Sequence, residues 1–231
     1  MIEQSVFDRT LKALRDAVGA EMRGFYDALI KRLRQADVLE NALKVGDKFP
    51  DFALPNGRGH FFQFSDLLAG GPLVITFYRG RWCPFCSATV EAMTAETPAM
   101  VAMGATVIGI TPEIAGLSFC ADRKYDLNFE MLCDLDNGLA LECGILFRLT
   151  HEVIQAYLDD GLDLGQVYGN GSYFLPVPAS YIIGREGTIT HAFMDADFRH
   201  RADPKELVKA LASINGRDST DRPPNRASGR V

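Results

Sequence analysis

Leu11, Leu14, Val18, Met22, Phe25, Leu29 and Leu33 follow one another at intervals of 3, 4, 4, 3, 4 and 4. That is the interval pattern of one apolar stripe on a 3.6-residue helix, with lysines, arginines and acids on the other face. Residues 1–40 are therefore expected to form an N-terminal helical extension, bent or split where Gly19 and Gly24 weaken the helix. The stripe packs on the chain's own core or helps form a homodimer; the first is the simpler expectation.

Beyond residue 40 the pattern shortens. Turn residues at Val45-Gly46-Asp47-Lys48-Phe49-Pro50 and Pro55-Asn56-Gly57-Arg58-Gly59 surround short strands at Phe52–Leu54 and Phe61–Phe64. Ser65 caps a turn of helix through Leu68. Leu73-Val74-Ile75-Thr76-Phe77-Tyr78 is the unbroken, β-branched run of a strand buried on both faces. A helix is expected from Cys83 to Met103, kinked at Pro98. A second buried strand at Thr106–Ile110, a helix at Ile114–Tyr125 and a short strand at Glu130–Leu132 follow. Gly138–Cys143 and Thr150–Leu158 read as short helices and residues 159–172 as a Gly-rich loop. Two strands, Ala179–Ile183 and Thr188–Met194, are joined by Gly184-Arg185-Glu186-Gly187. Asp203 caps a last helix, with Pro204 in its first position, ending at Asn215. Residues 216–231, rich in Gly, Ser, Pro, Asn and Arg, are expected to be a disordered tail. The alternation predicts an α/β domain over 41–215, with a mixed sheet flanked by helices.

Composition narrows the classes. A content of 47% hydrophobic and 23% charged residues suits a soluble domain with a sizeable core. The formal charge of −6 argues against nucleic acid or an anionic membrane as partner. No apolar run is long enough to span a bilayer. The start, Met1-Ile2-Glu3-Gln4, lacks the features of an export signal, so a cytoplasmic location is expected. The 5 cysteines of the chain are an odd number, which points to reduced thiols rather than a disulfide framework.

Two of those cysteines carry the chemistry. Cys83 and Cys86, in Trp82-Cys83-Pro84-Phe85-Cys86, sit where a buried strand gives way to a helix. Residues three apart at a helix start share one face, so their sulfurs can join in a disulfide. A helix N-terminus stabilises a thiolate, the attacking form of the thiol. Arg79 and Arg81 add positive potential if they turn inward, and Pro84 occupies an early position where its missing N–H has no intrahelical partner. A zinc site would need a second pair of ligands at suitable spacing; Cys120, Cys133 and Cys143 are single and read as small core residues. No metal or other cofactor is expected. Asp195, Asp197 and Arg199 read as an exposed strand end.

From about Lys44 to Ile214 the chain resembles the peroxiredoxin-like (AhpC/TSA, redoxin) branch of the thioredoxin-fold superfamily. The resemblance rests on Val45–Phe52, on Thr76–Cys86 and on Pro176–Ile183. It implies a thioredoxin-like fold and a thiol-dependent antioxidant oxidoreductase, with hydroperoxides or protein disulfides as substrates and a thioredoxin-like thiol protein as reductant. By position Cys86 matches the peroxidatic cysteine of peroxiredoxins, Cys83 stands where they carry Thr or Ser, and Pro178 stands where they carry an activating Arg. Trp82, Cys83 and Cys86 match the active-site motif of thioredoxins instead, and Pro178 then matches their cis-proline. On thioredoxin logic Cys83 attacks and Cys86 resolves; on peroxiredoxin logic Cys86 attacks peroxide and Cys83 resolves. Trp82 and Phe85 would be apolar walls. The alternatives are a disulfide reductase without peroxide activity and a redox sensor that is not an enzyme.

Overall fold

The computed structural model describes residues 5–114 and 127–220. The expected helix at Ile114–Tyr125, apart from Ile114 itself, lies outside the described residues, as do Cys120 and residues 221–231 of the expected tail. Ser5 opens the first helix, its hydroxyl oxygen accepting the Asp8 N–H at 3.0 Å and so satisfying a donor that a helix start leaves open. This helix, α1 (Val6–Ala17), is separated from α2 (Ala20–Gln35) at Val18 and Gly19. The apolar stripe thus crosses a break rather than running along one rod. Leu11, Leu29 and Leu33 are buried in the same core cluster as Cys83, Tyr157 and Phe198. The middle of the stripe, Leu14, Val18, Met22 and Phe25, is only half-buried and lines a cleft, so the chain covers its two ends and part of its centre.

The short strands β1 (Ala53–Pro55) and β2 (Phe61–Gln63) pair antiparallel. They lead through α3 (Phe64–Gly70), capped by Gln63 rather than Ser65, into β3 (Leu73–Phe77), in which every residue is buried. There follow α4 (Pro84–Ala102), β4 (Thr106–Thr111), β5 (Glu130–Cys133), α5 (Gly138–Glu142), β6 (Leu146–Arg148), α6 (His151–Asp159) and α7 (Leu164–Tyr168). The chain closes with β7 (Phe174–Pro176), β8 (Ala179–Ile183), β9 (Ile189–Met194) and α8 (Pro204–Thr220). The central sheet has the order β5-β4-β3-β8-β9; β3, β4 and β5 pair parallel, β8 pairs antiparallel with β3, and β9 pairs antiparallel with β8. This is the expected mixed sheet flanked by helices. The carboxyl ends of β3 and β4 lie side by side, which is where open α/β sheets build their sites. Among the described residues no helix is long and apolar enough to cross a membrane.

α4 runs through Pro98, as expected. Pro98 removes the N–H that would bond the Thr94 carbonyl, and the Asn128 side-chain amide donates to that oxygen instead, at 3.0 Å. Two local expectations are corrected. The supposed loop at 159–172 contains α7, started by Asp163, whose carboxylate accepts the N–H groups of Gly165 and Gln166 at 2.9 and 3.3 Å. The last helix continues past Asn215 to Thr220, because Gly216 only weakens a helix.

Two glycines test these packing relations in opposite directions. Gly144 has φ +67°, and a Cβ there would lie 2.2 Å from the Asn41 carbonyl oxygen. Gly144→Ala lowers unfolding stability by about 1–3 kcal/mol through backbone strain and this clash. Gly24 lies inside α2 with nothing within 4 Å of its would-be Cβ. Gly24→Ala raises stability by about 0.4–1 kcal/mol. Urea denaturation of both variants checks the two signs.

Candidate active site

Beyond Phe77 the chain remains buried through Tyr78 and Arg79, with the Tyr78 N–H donating to the Ile110 carbonyl at 2.8 Å. Gly80 then turns it with φ +139°, in a space where a Cβ would lie 2.6 Å from the Glu113 carboxylate and 2.8 Å from the Trp82 indole nitrogen. Cys83 is the N-cap of α4 and Pro84 its first residue. The Cys83 carbonyl accepts the N–H groups of Cys86 and Ser87 at 2.9 and 3.0 Å, which fixes both cysteines on one face. Both are free thiols, 1% and 0% exposed.

Two arginines reach this pair. Arg79 is fully buried, its guanidinium 3.9 Å from the centre of the Phe198 ring and 4.7 Å from that of Trp82. It donates to the Tyr157 hydroxyl at 3.3 Å, while its Nε and one Nη have no hydrogen-bond partner. The ring faces offset part of that deficit. Arg201 comes from the β9–α8 connection and donates an Nη to Cys86 Sγ at 3.6 Å; the Arg79 backbone N–H donates to the same sulfur at 3.3 Å. Burial opposes a charge on Cys83, but the hydrogen bond from the Cys86 thiol and the Arg79 and Arg201 guanidiniums outweigh it. Cys83 is held well below the usual thiol range. Burial and the hydrogen bond given to Cys83 push Cys86 the other way. The negative charge of the pair is thus favoured on Cys83 over Cys86.

Tyr26 and Tyr157 sense the charge of Cys83, and both line a cleft of about 900 Å³ between α1, α2 and α6, with Trp82 and Pro84 in its wall. Cys86 is sensed by Tyr78 and Tyr168 on the inner side. Tyr168 ties the turn together: its hydroxyl accepts the Trp82 indole N–H at 2.8 Å and donates to the Arg79 carbonyl at 2.6 Å.

The structure thus brings together Cys83, Cys86, Trp82, Pro84 and Arg79. Arg81 contributes differently from expectation. Its backbone N–H donates to Glu113 at 2.8 Å and its charge bears on Glu113, whereas the cations acting on Cys83 are Arg79 and Arg201. Pro178 is corrected: it is buried, but among the described residues no peptide bond is cis. The Val177 N–H donates to the Ile145 carbonyl at 2.7 Å, and the chain passes from β7 straight into β8. The supposed exposed strand end is also corrected. Asp197 is buried and grips Arg199 through both carboxylate oxygens, at 2.8 and 2.9 Å. Arg199 holds Asp27 of α2 at 2.8 Å. Sequence reasoning missed Arg201, Phe198, Tyr157, Tyr168 and Glu113. For Glu113 a signal existed, its place just after the carboxyl end of a strand beside β3; for Arg201, inside a run of charges, none did.

The profile of the AhpC/TSA family matches residues 45–192, more than half of the chain. The chain belongs to the AhpC/TSA family. The chain is 26% identical to Peroxiredoxin Bcp of Escherichia coli over 156 residues, 67% of this chain and 88% of that one. Its fold is similar to the crystal structure of Peroxidoxin BcpB from Mycobacterium tuberculosis, with a TM-score of 0.57 at 19% identity, covering 74% of this chain and 98% of the other. Peroxiredoxin Q of Xanthomonas campestris aligns with a TM-score of 0.55 at 17% identity, over 76% of this chain and 99% of its own. Residues 1–44, with α1 and α2, precede the family match.

If Arg201 helps hold the thiolate, Arg201→Met moves the ultraviolet thiolate titration of the reduced protein to higher pH. Arg201→Lys moves it less, because the cation is retained without the guanidinium's geometry. A titration unchanged in Arg201→Met would remove Arg201 from the site.

Proposed function

We propose that this protein is a thiol peroxidase in which Cys83 attacks a hydroperoxide and Cys86 closes the disulfide. The observation that carries this reading is a dithiol buried to 1% and 0% exposure against two buried guanidiniums, with an Arg201 Nη donating to Cys86 Sγ at 3.6 Å and both cations favouring a charge on Cys83. A nucleophile so enclosed is within reach of a molecule as small as a hydroperoxide, and membership of the AhpC/TSA family supports that substrate. The Cys83 thiolate attacks the terminal oxygen of the peroxide; the O–O bond breaks, an alkoxide leaves, and the sulfur becomes a sulfenic acid. Arg79 and Arg201 stabilise the charge that spreads onto oxygen as the bond breaks. Cys86 then attacks the Cys83 sulfur one helical turn away, the S–O bond breaks, and hydroxide leaves as water with the Cys86 proton. A thioredoxin-like dithiol reopens the disulfide, entering from the cleft beside Trp82.

A second reading assigns the attack to Cys86. It is favoured by the two donors on that sulfur, the Arg79 N–H at 3.3 Å and the Arg201 Nη at 3.6 Å, and by its place in the family pattern. Cys83 is preferred because the pair's charge is favoured there and because its neighbours Trp82 and Pro84 line the cleft. Stopped-flow consumption of peroxide by Cys→Ser variants separates the two. Cys86→Ser retains one rapid turnover and accumulates a sulfenic acid at Cys83 that dimedone traps, while Cys83→Ser loses the reaction. The reverse pattern establishes Cys86 as the nucleophile. A wild-type protein that ignores peroxide but reduces insulin disulfides refutes the peroxidase reading. In the active protein, Arg201→Met slows the peroxide step by roughly 10²–10³.

A further inference from the structure

Glu113 is a carboxylic acid at 1% exposure that feels the charge of Cys83. It stands just beyond the end of β4, and its Oε1 accepts the Arg81 N–H at 2.8 Å from the turn that carries Cys83. Its Oε2 accepts the Thr111 hydroxyl at 3.4 Å. Gly80 leaves the space it fills: a side chain at 80 would collide with its carboxylate. Among the described residues the groups that face it are Arg81 from the β3–α4 turn, Cys83 at the start of α4, Tyr168 from α7 and Thr111 on its own strand. Neither attack nor resolution as described above uses it.

A proton count gives it a task. A dithiol monoanion that reduces one hydroperoxide to alcohol and water, and ends as a disulfide, consumes one proton beyond the one on Cys86. The alkoxide takes that extra proton; the Cys86 proton leaves with the hydroxide. We propose that Glu113 is the proton store of the Cys83–Cys86 pair, protonated while Cys83 is a thiolate and ionised once the disulfide has formed. The inference rests on the Cys83–Cys86 redox pair proposed above. The oxidative half then balances internally: acid, thiolate, thiol and ROOH give carboxylate, disulfide, ROH and water. In the reductive half, a dithiol donor supplies two electrons and two protons; it leaves as a disulfide, one proton returns to Cys86 and one to Glu113.

Electrostatics supplies the coupling. Burial pushes the Glu113 carboxyl up to about 8, against the lowering effects of the Arg81 N–H, the Arg81 charge and the Thr111 hydroxyl, and the Cys83 thiolate adds to the rise. Forming the disulfide deletes that thiolate, so the carboxyl becomes a stronger acid at the moment a proton is required.

The test is a proton count on the full chain in weakly buffered solution with a pH indicator. Reduced protein is oxidised once by a stoichiometric amount of hydrogen peroxide and, separately, of diamide, which also removes two electrons and takes up two hydrogens. At neutral pH the wild type closes its disulfide with uptake of much less than one proton from solvent. The uptake rises towards one as the pH is raised through about 8, because Glu113 is then already ionised in the reduced protein. Glu113→Gln takes up one proton at both pH values with either oxidant. Uptake of one proton by the wild type at neutral pH, equal to that of Glu113→Gln, overturns the proposal. If Glu113→Gln fails to fold, the wild-type count is read beside the ultraviolet thiolate titration of the reduced protein: a count that does not change between neutral and alkaline pH, or that changes only in step with the thiolate absorbance, overturns it. A protein that gives the expected counts with diamide and ignores peroxide refutes the peroxidase reading while leaving Glu113 in its role.

Discussion

Two guanidinium groups in an apolar interior need anionic or strongly polar partners, and here two sulfurs, a phenol and two aromatic faces provide them. Much of the site follows from this requirement. Arg79 continues straight from the central strand, so its burial is set by the sheet itself. Phe198 and Trp82 close over it because a cation without a full set of hydrogen-bond acceptors gains from aromatic faces. Tyr157 supplies one oxygen, and the cysteine pair supplies the negative charge. The dithiol and the cations therefore hold each other in place, and neutralising either side would leave the other buried without compensation.

The N-terminal helices enter this arrangement from outside the family match. Tyr26 of α2 packs edge-on against Phe198, with ring centres 5.0 Å apart, and lies near Tyr157 at 6.4 Å. Asp27, its neighbour in sequence, is anchored by Arg199, which Asp197 holds rigid. Arg15 of α1 reaches the Arg199 carbonyl at 3.3 Å. One short segment, residues 197–201, thus fastens the extension with one arginine and addresses the sulfur with another. That dual use explains why its charges are not simply solvated.

The layers of the fold were legible because they depend on local periodicity. Leu73–Tyr78 could only be a strand buried on both faces, and the intervals in residues 11–33 could only be a helical stripe. Cys83 and Cys86 were legible because they stand three apart at the start of the helix that follows a buried strand. What escaped depends on contacts distant in sequence. Arg201 lies 115 residues from Cys86, and nothing near it distinguishes it from Arg199, which forms an ordinary ion pair. Pro178 was misread for the same reason: a proline before a core strand does not reveal its isomer, which the hydrogen bond from Val177 to Ile145 accompanies in trans. The short strands β6 and β7 were invisible because they pair with each other across 25 or more intervening residues, with little alternation of their own.

The one-turn separation of the sulfurs has a consequence for durability. In a site where the second thiol must travel to reach the first, the oxidised sulfur waits, and a second oxidant molecule can convert it to a sulfinic acid that ordinary thiols do not repair. Here Cys86 already donates its hydrogen to Cys83, and both are pinned by the first turn of α4. On the chemistry proposed, closure requires no unwinding, so the vulnerable species is short-lived and the protein withstands oxidant concentrations that would inactivate a looser arrangement.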